Sequence, residues 1–468
     1  MNITSNPLHY LELTELGARI KAREVSPVSV TRALLDRIAS LDGELNSYAR
    51  LMPDTALMQA EQAEAEIAAG RYRGPLHGVP IAVKDLIWTQ GVPTAAGMSI
   101  HKDYRPPEDA TVVQRLKDAG AVLLGKLQLT EGAYSDHHPS VTPPRNPWNA
   151  DYWPGISSSG AGAALAAGLC FGALASDTGG SIRWPSAANG VSGLKPSWGR
   201  VSRHGVFALA PTLDHVGTMA RSAVDAGVML SAIAGGDPKD PTASLTTAPD
   251  YLEAMEQGAR GLRVGVDFDW NGDDVDETTQ AAMAEAVEVF RSLGASIVRV
   301  RFPDVTQAIA DWVPNCAVEA AVVHEHTYPA RRHEYGPVLA SVLESGRAVS
   351  AADYHAIQLR RLELRGRVAA LFTEIDLLLT PVQPFAPLTL KTIRTLGDQP
   401  ELIAKLQRYT CPFNMTGNPT LTLPCGFSPA GLPIGLQLVA GPFAENALIR
   451  AGSAFQRVTS WHRRHPLD

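Results

Sequence analysis

Apolar positions recur along this chain with two alternating periods. Ser26 can cap a helix and Pro27 presets its first turn, after which Val30, Leu34, Ile38 and Leu41 return on one face. A second, Ala- and Glu-rich helix is predicted from Asp54 to Ala69, ending at Gly70. The period then shortens: Gly78–Lys84 reads as a buried strand with Lys84 at its end. Helix and strand alternate from there, with helices at Ala110–Ala119 and Gly160–Leu169 and strands at Ala121–Leu124 and Gly172–Ser176. Further on, strands Leu262–Val266 and Ser296–Arg301 bracket a helix Glu277–Leu293, and Leu377–Thr380, Thr420–Leu423 and Ile434–Val439 follow as strands. This alternation predicts an α/β fold: a large mixed, twisted β-sheet flanked by α-helices on both faces. One domain is expected over 1–468, with 1–70 as an outer helical layer, 78–220 as the core and 221–468 completing the sheet and pocket.

Composition narrows the class. Of 468 residues 45% are hydrophobic and 19% charged, with 40 Gly and 34 Pro, the balance of a turn-rich enzyme and not of a disordered or fibrous chain. The net charge of −7 offers no broad attraction to nucleic acid or to anionic lipid, which leaves a small-molecule substrate. Cys170, Cys316, Cys411 and Cys425 are scattered without a C-x-x-C pair, so neither a zinc site nor a disulfide framework is expected. The start, Met1–Leu13, lacks the basic and apolar segments of a signal peptide, and the apolar run Ala161–Ala175 is shorter than the roughly 18 residues of a membrane span. A cytoplasmic enzyme, monomer or homodimer, is the expectation.

Serine and glycine concentrate in two short clusters within 154–196, separated by a small-residue helix and a strand. In the second, Asp177-Thr178-Gly179-Gly180-Ser181, paired glycines allow consecutive N–H groups to converge on one spot, as an oxyanion hole requires. Ser181 ends that nest and is the candidate nucleophile. None of the 13 histidines falls in either cluster, so the base is sought elsewhere. A buried lysine can serve once its neutral form is favoured, and Lys84, ending an apolar strand, is the candidate.

These residues resemble the amidase signature family, whose usual pattern is Gly-Gly-Ser-Ser-Gly-Gly-Ser, a small-residue helix, then Asp-Thr-Gly-Gly-Ser-Ile-Arg. Ser157 and Ser181 stand 24 residues apart, as the two family serines do. The segments Leu76–Asp85, Gly125–Glu131, Asn146-Pro147-Trp148, Leu213–Gly217 and Phe413–Pro424 are similar to family segments in the same order, so the resemblance spans nearly the whole chain. It implies the amidase signature fold and a triad of Lys84, Ser157 and Ser181, with Ser157 in a cis peptide relaying the proton. It also implies an oxyanion hole from Thr178, Gly179, Gly180 and Ser181, supporting roles for Ser158, Asp177 and Arg183, and substrate-pocket positions at Tyr134 and His138. No metal and no cofactor are implied. The chain departs from the pattern at Ile156, Ser159, Ala161 and Ser176, none of them a triad position.

The implied reaction is hydrolysis of a C–N acyl bond of small, hydrophobic amides through an acyl-enzyme, with carbamates (urethanes) open to the same chemistry. Trp153, Trp184, Phe207 and Phe413 suit an apolar substrate. Two other readings are the glutaminase subunit of a tRNA-dependent amidotransferase and a catalytically silent scaffold. Ser192-Gly-Leu-Lys195 fits S-x-x-K without its companion motifs and reads as a loop with a structural Lys195. Gly120–Lys126 lacks the Ser/Thr of a phosphate loop, and neither His324-Glu325-His326 nor His137-His138 has metal-ligand spacing.

Overall fold

Eleven strands join into one sheet in the computed structural model, which describes residues 7–467. In chain order they are β1 (Tyr48–Leu51), β2 (Pro80–Lys84), β3 (Val122–Leu127), β4 (Gly172–Asp177), β5 (Ser192–Lys195), β6 (His215–Ala220), β7 (Arg263–Val266), β8 (Ser296–Arg299), β9 (Leu377–Pro381), β10 (Thr420–Phe427) and β11 (Pro433–Ala440). Their spatial order is β1-β3-β2-β4-β6-β5-β10-β11-β9-β7-β8. The sheet is mixed: β2 runs parallel to β3 and β4, β7 runs parallel to β8 and β9, and antiparallel pairs lie between the two sets. Every residue of β2, β3, β4, β6 and β11 is buried. Because successive side chains point to opposite faces, such strands must be covered on both sides.

The helix Pro27–Leu45 starts at the predicted place, Pro53–Ala68 starts and ends within a residue of its predicted bounds, and the Ser26 hydroxyl accepts the Ser29 N–H at 3.1 Å as the cap. Val30, Leu34 and Ile38 are its buried face. Three strands were not predicted. β1 alternates too briefly to stand out, and β6 begins at polar His215. The third, β5, corrects the reading of Ser192–Lys195 as a loop: it pairs with both β6 and β10, and Lys195 is buried, donating to the Asn418 and Pro196 carbonyls.

The helix Ser159–Ala166 lies backbone to backbone against this sheet. A Cβ added at Gly160 would stand 2.7 Å from the Gln128 backbone and against the Ser47 carbonyl, whereas at Gly43, in the exposed part of Pro27–Leu45, it would meet nothing within 4 Å. Gly160→Ala is therefore expected to destabilise the protein by about 1–3 kcal/mol through overpacking. Gly43→Ala should stabilise it by about 0.5–1 kcal/mol through helix propensity alone. Urea unfolding of the two variants beside the wild type checks both signs.

Candidate active site

Parallel pairing of β2 with β4 brings their carboxyl ends to the same sheet edge, so Lys84 and Asp177 end adjacent strands. Lys84 is wholly buried, and its Nζ donates to Ser157 Oγ at 2.7 Å and to Ser176 Oγ at 2.9 Å. Burial lowers its pKa from 10.5 to about 7 against the opposing pull of Asp177 and Asp214. Ser157 follows a cis Ile156–Ser157 peptide bond. The neighbouring Ser158 hydroxyl donates to the Ser176 carbonyl at 3.2 Å, tying this loop to β4.

The second loop is organised by one carboxylate. Asp177 accepts the N–H groups of Gly180 at 2.9 Å and Ile182 at 3.0 Å, together with the Arg183 guanidinium at 2.8 and 3.0 Å. Both side chains are wholly buried. Burial pushes the Asp177 carboxyl up, but the Arg183 charge and hydrogen bonds hold it well below the usual carboxylate range. Arg183 also reaches the Thr410 carbonyl, Gln437 and Asn414, and the Asn414 amide returns to Asp177. One part of the oxyanion expectation is corrected here: the Gly180 N–H is directed to Asp177, which leaves Thr178, Gly179 and Ser181 as the candidate donors. Ser181, 7% exposed, stands two residues before the helix Arg183–Asn189.

A cavity of about 250 Å³ opens beside Ser176 and Thr178. Ala133, Val206, Phe207, Leu209 and Pro211 give it apolar walls. Its charged groups are already engaged. Asp214 accepts the Thr178 hydroxyl at 2.6 Å and the Leu209 and Ala210 amides, and burial raises its pKa to about 6. Arg203 donates to the Pro211 carbonyl and to Thr242, Asp240 accepts from Thr242 and from the Arg203 amide, and Lys239 and His204 face Glu108.

The two expected pocket residues do not line this cavity. Tyr134 lies near Cys316 and Cys411, with burial raising its phenol pKa, while its neighbour Ala133 lines the cavity. The His138 ring folds back on Ser140, 2.6 Å away, because its own loop supplies the nearest partner. Its neighbour His137 approaches Ser159 at 3.4 Å and burial lowers its pKa to about 4. Of the four aromatics, only Phe207 is a cavity wall; Trp153 packs near Trp184, and Phe413 near Phe302.

The sequence profile of the Amidase family matches residues 29–449. The chain belongs to the amidase signature family. It is 49% identical over 456 residues to AmiD of Mycobacterium tuberculosis, covering 97% of this chain and 96% of that protein. It is 37% identical to one subunit of glutamyl-tRNA(Gln) amidotransferase from a Geobacter species, covering 97% and 98% of the two chains. Among solved structures, a bacterial aryl acylamidase of the amidase signature family superposes with a TM-score of 0.87 at 26% identity, covering 98% and 99% of the two chains. Membership in this family makes the chain an amide-hydrolysing enzyme.

Four residues of this amidase were missed from sequence: Asp214, Asn414, Gln437 and Trp312, whose indole N–H donates to the Thr178 carbonyl at 2.9 Å. Asp214 and Asn414 lie in segments already singled out for their family likeness, and that was their only signal. Gln437 and Trp312 carry none. Arg183→Met should cost about 3–5 kcal/mol, because Asp177 is left as a buried, uncompensated charge. Chemical denaturation of the variant measures this.

Proposed function

We propose that Ser181 is the nucleophile of an amide hydrolysis in which neutral Lys84 is the base and Ser157 the relay. Ser157 gives its proton to Lys84 and takes that of Ser181 as the Ser181 oxygen attacks the acyl carbon. The developing oxyanion is held by amides of the 178–181 loop. As the tetrahedral intermediate collapses, the proton returns through Ser157 to the leaving nitrogen. Water, activated along the same route, then releases the acyl group from Ser181. The observation that carries this reading is the 2.7 Å contact of the buried Lys84 amine with Ser157, at a pKa of about 7 where the free base is available.

The substrate is a small uncharged amide with an apolar group. What supports this is the apolar wall of Ala133, Val206, Phe207, Leu209 and Pro211 in the cavity of about 250 Å³ bordered by Ser176 and Thr178, whose lining does not include Lys84, Ser157 or Ser181. Aryl carbamates are open to the same acyl chemistry. The glutaminase reading draws support from the 37% identity to the amidotransferase chain. Glutamine, however, brings an ammonium and a carboxylate, and the charged side chains around this cavity are already engaged with Thr178, Thr242, Glu108 and loop backbone.

Turnover of an aryl amide, an aliphatic amide, glutamine and an aryl carbamate by wild type and Ser181→Ala tests the assignment. The aryl amide is expected to be cleaved fastest and the substitution to abolish cleavage; turnover surviving in Ser181→Ala removes Ser181 as nucleophile. Since Lys84 must be unprotonated to act, kcat/KM should rise as pH increases through about 7 and level above it. A rate that falls with rising pH across that range contradicts the lysine base.

A further inference from the structure

Three successive carbonyls of the loop after β4 each meet a different donor. The Thr178 carbonyl accepts the indole N–H of Trp312 at 2.9 Å, that of Gly179 the Cys411 thiol at 3.4 Å, and that of Gly180 the Trp184 amide at 2.7 Å. None of these peptide bonds is cis. In a trans peptide the carbonyl and the next N–H point in opposite directions across a rigid plane, so the donor on each carbonyl dictates where the following amide points. The Gly180 amide is thereby turned to Asp177, the Gly179 amide away from Trp312, and the Ser181 amide away from the helix Arg183–Asn189.

Glycine on one side makes the first of these planes easier to turn over, since the φ of Gly179 meets no Cβ penalty in either orientation. Turned over, it would present the Thr178 carbonyl oxygen where an anion has to form. Of the contacts opposing this, the indole N–H is the strong one on that plane. Its ring also occupies the place of the absent side chain, Trp312 Cε2 being 2.8 Å from where a Gly179 Cβ would stand. Trp312 comes from the helix Thr306–Val323, 134 residues beyond the carbonyl it holds, and is itself only 7% exposed.

We propose that Trp312 is a positioning residue whose indole N–H locks the Thr178–Gly179 peptide with the Gly179 N–H facing the oxyanion. This rests on Ser181 being the nucleophile. The lock acts only where negative charge develops, so its loss lowers kcat and leaves KM alone.

The test replaces Trp312 with its benzothienyl isostere, in which sulfur stands for the N–H and the ring shape is kept, with Trp312→Phe as the encodable companion. Each is assayed with an acyl p-nitroanilide, for thermal stability, and for binding of an alkyl boronic acid, which gains its negative oxygen only on bonding Ser181. In the isostere kcat should fall about tenfold or more, given that outright loss of an oxyanion donor costs about 10²–10³. KM and melting temperature should stay put, and boronic acid affinity should fall with kcat. Trp312→Phe should reproduce the fall in kcat. Wild-type kcat in the isostere overturns the proposal, as does a raised KM at unchanged kcat, which would make the ring a substrate contact. Ser181→Ala in the same assay separates the two levels: its residual turnover defeats the nucleophile assignment itself, whereas an inert Ser181→Ala beside a fully active isostere defeats the lock alone.

Discussion

The Asp177 carboxylate, wholly buried and paired with Arg183, is the constraint on which the site's geometry hangs. A charge in that position is tolerated only because it is saturated: two guanidinium nitrogens, the amides of Gly180 and Ile182 and the Asn414 side chain all point at it. Those bonds bend the chain from the end of β4 into the helix Arg183–Asn189 within a few residues. The amides of Thr178, Gly179 and Ser181 are not among those the carboxylate takes up. Arg183 in turn reaches the Thr410 carbonyl and Gln437, binding the turn to β11 on the far side of β6, β5 and β10.

Lys84 shows the opposite use of burial. Its amine meets two hydroxyls and no carboxylate, and with no full counter-charge at hand desolvation wins. The nearby Asp85, which could have supplied that charge, is turned away and accepts the Ala95 amide while facing Lys126. Two adjacent strands thus end in contrasting electrostatic settings at the same sheet edge: an anion kept charged by Arg183, and a lysine whose charged form burial disfavours.

The C-terminal part of the chain contributes by bracing. Trp312 on the helix Thr306–Val323 holds the Thr178 carbonyl, Glu319 on the same helix accepts from Thr212 next to the cavity wall, and Arg361 reaches Thr212 as well. Asp214 links the same wall to Thr178. The cavity wall and the loop after β4 are therefore held by a common set of polar contacts.

By itself the sequence determined the α/β architecture, the ends of the early helices and strands, and the two serine-glycine loops. These are local properties: helix caps, periodicity and glycine content act over a few residues, and so they can be read from them. Family likeness added Ser157 and joined it to Lys84, a partnership no spacing rule could reveal, since 73 residues separate them and they meet only because the Ser157 loop is tied through Ser158 to β4, the strand beside β2. Tertiary structure alone decided that the Gly180 amide faces Asp177, that Ala133 and not Tyr134 lines the cavity, that His138 folds onto Ser140, and that Trp312 lies over Gly179. Each of these depends on where a side chain finds its nearest partner across the packed core, and that is set by the whole sheet order and not by any stretch of neighbouring residues.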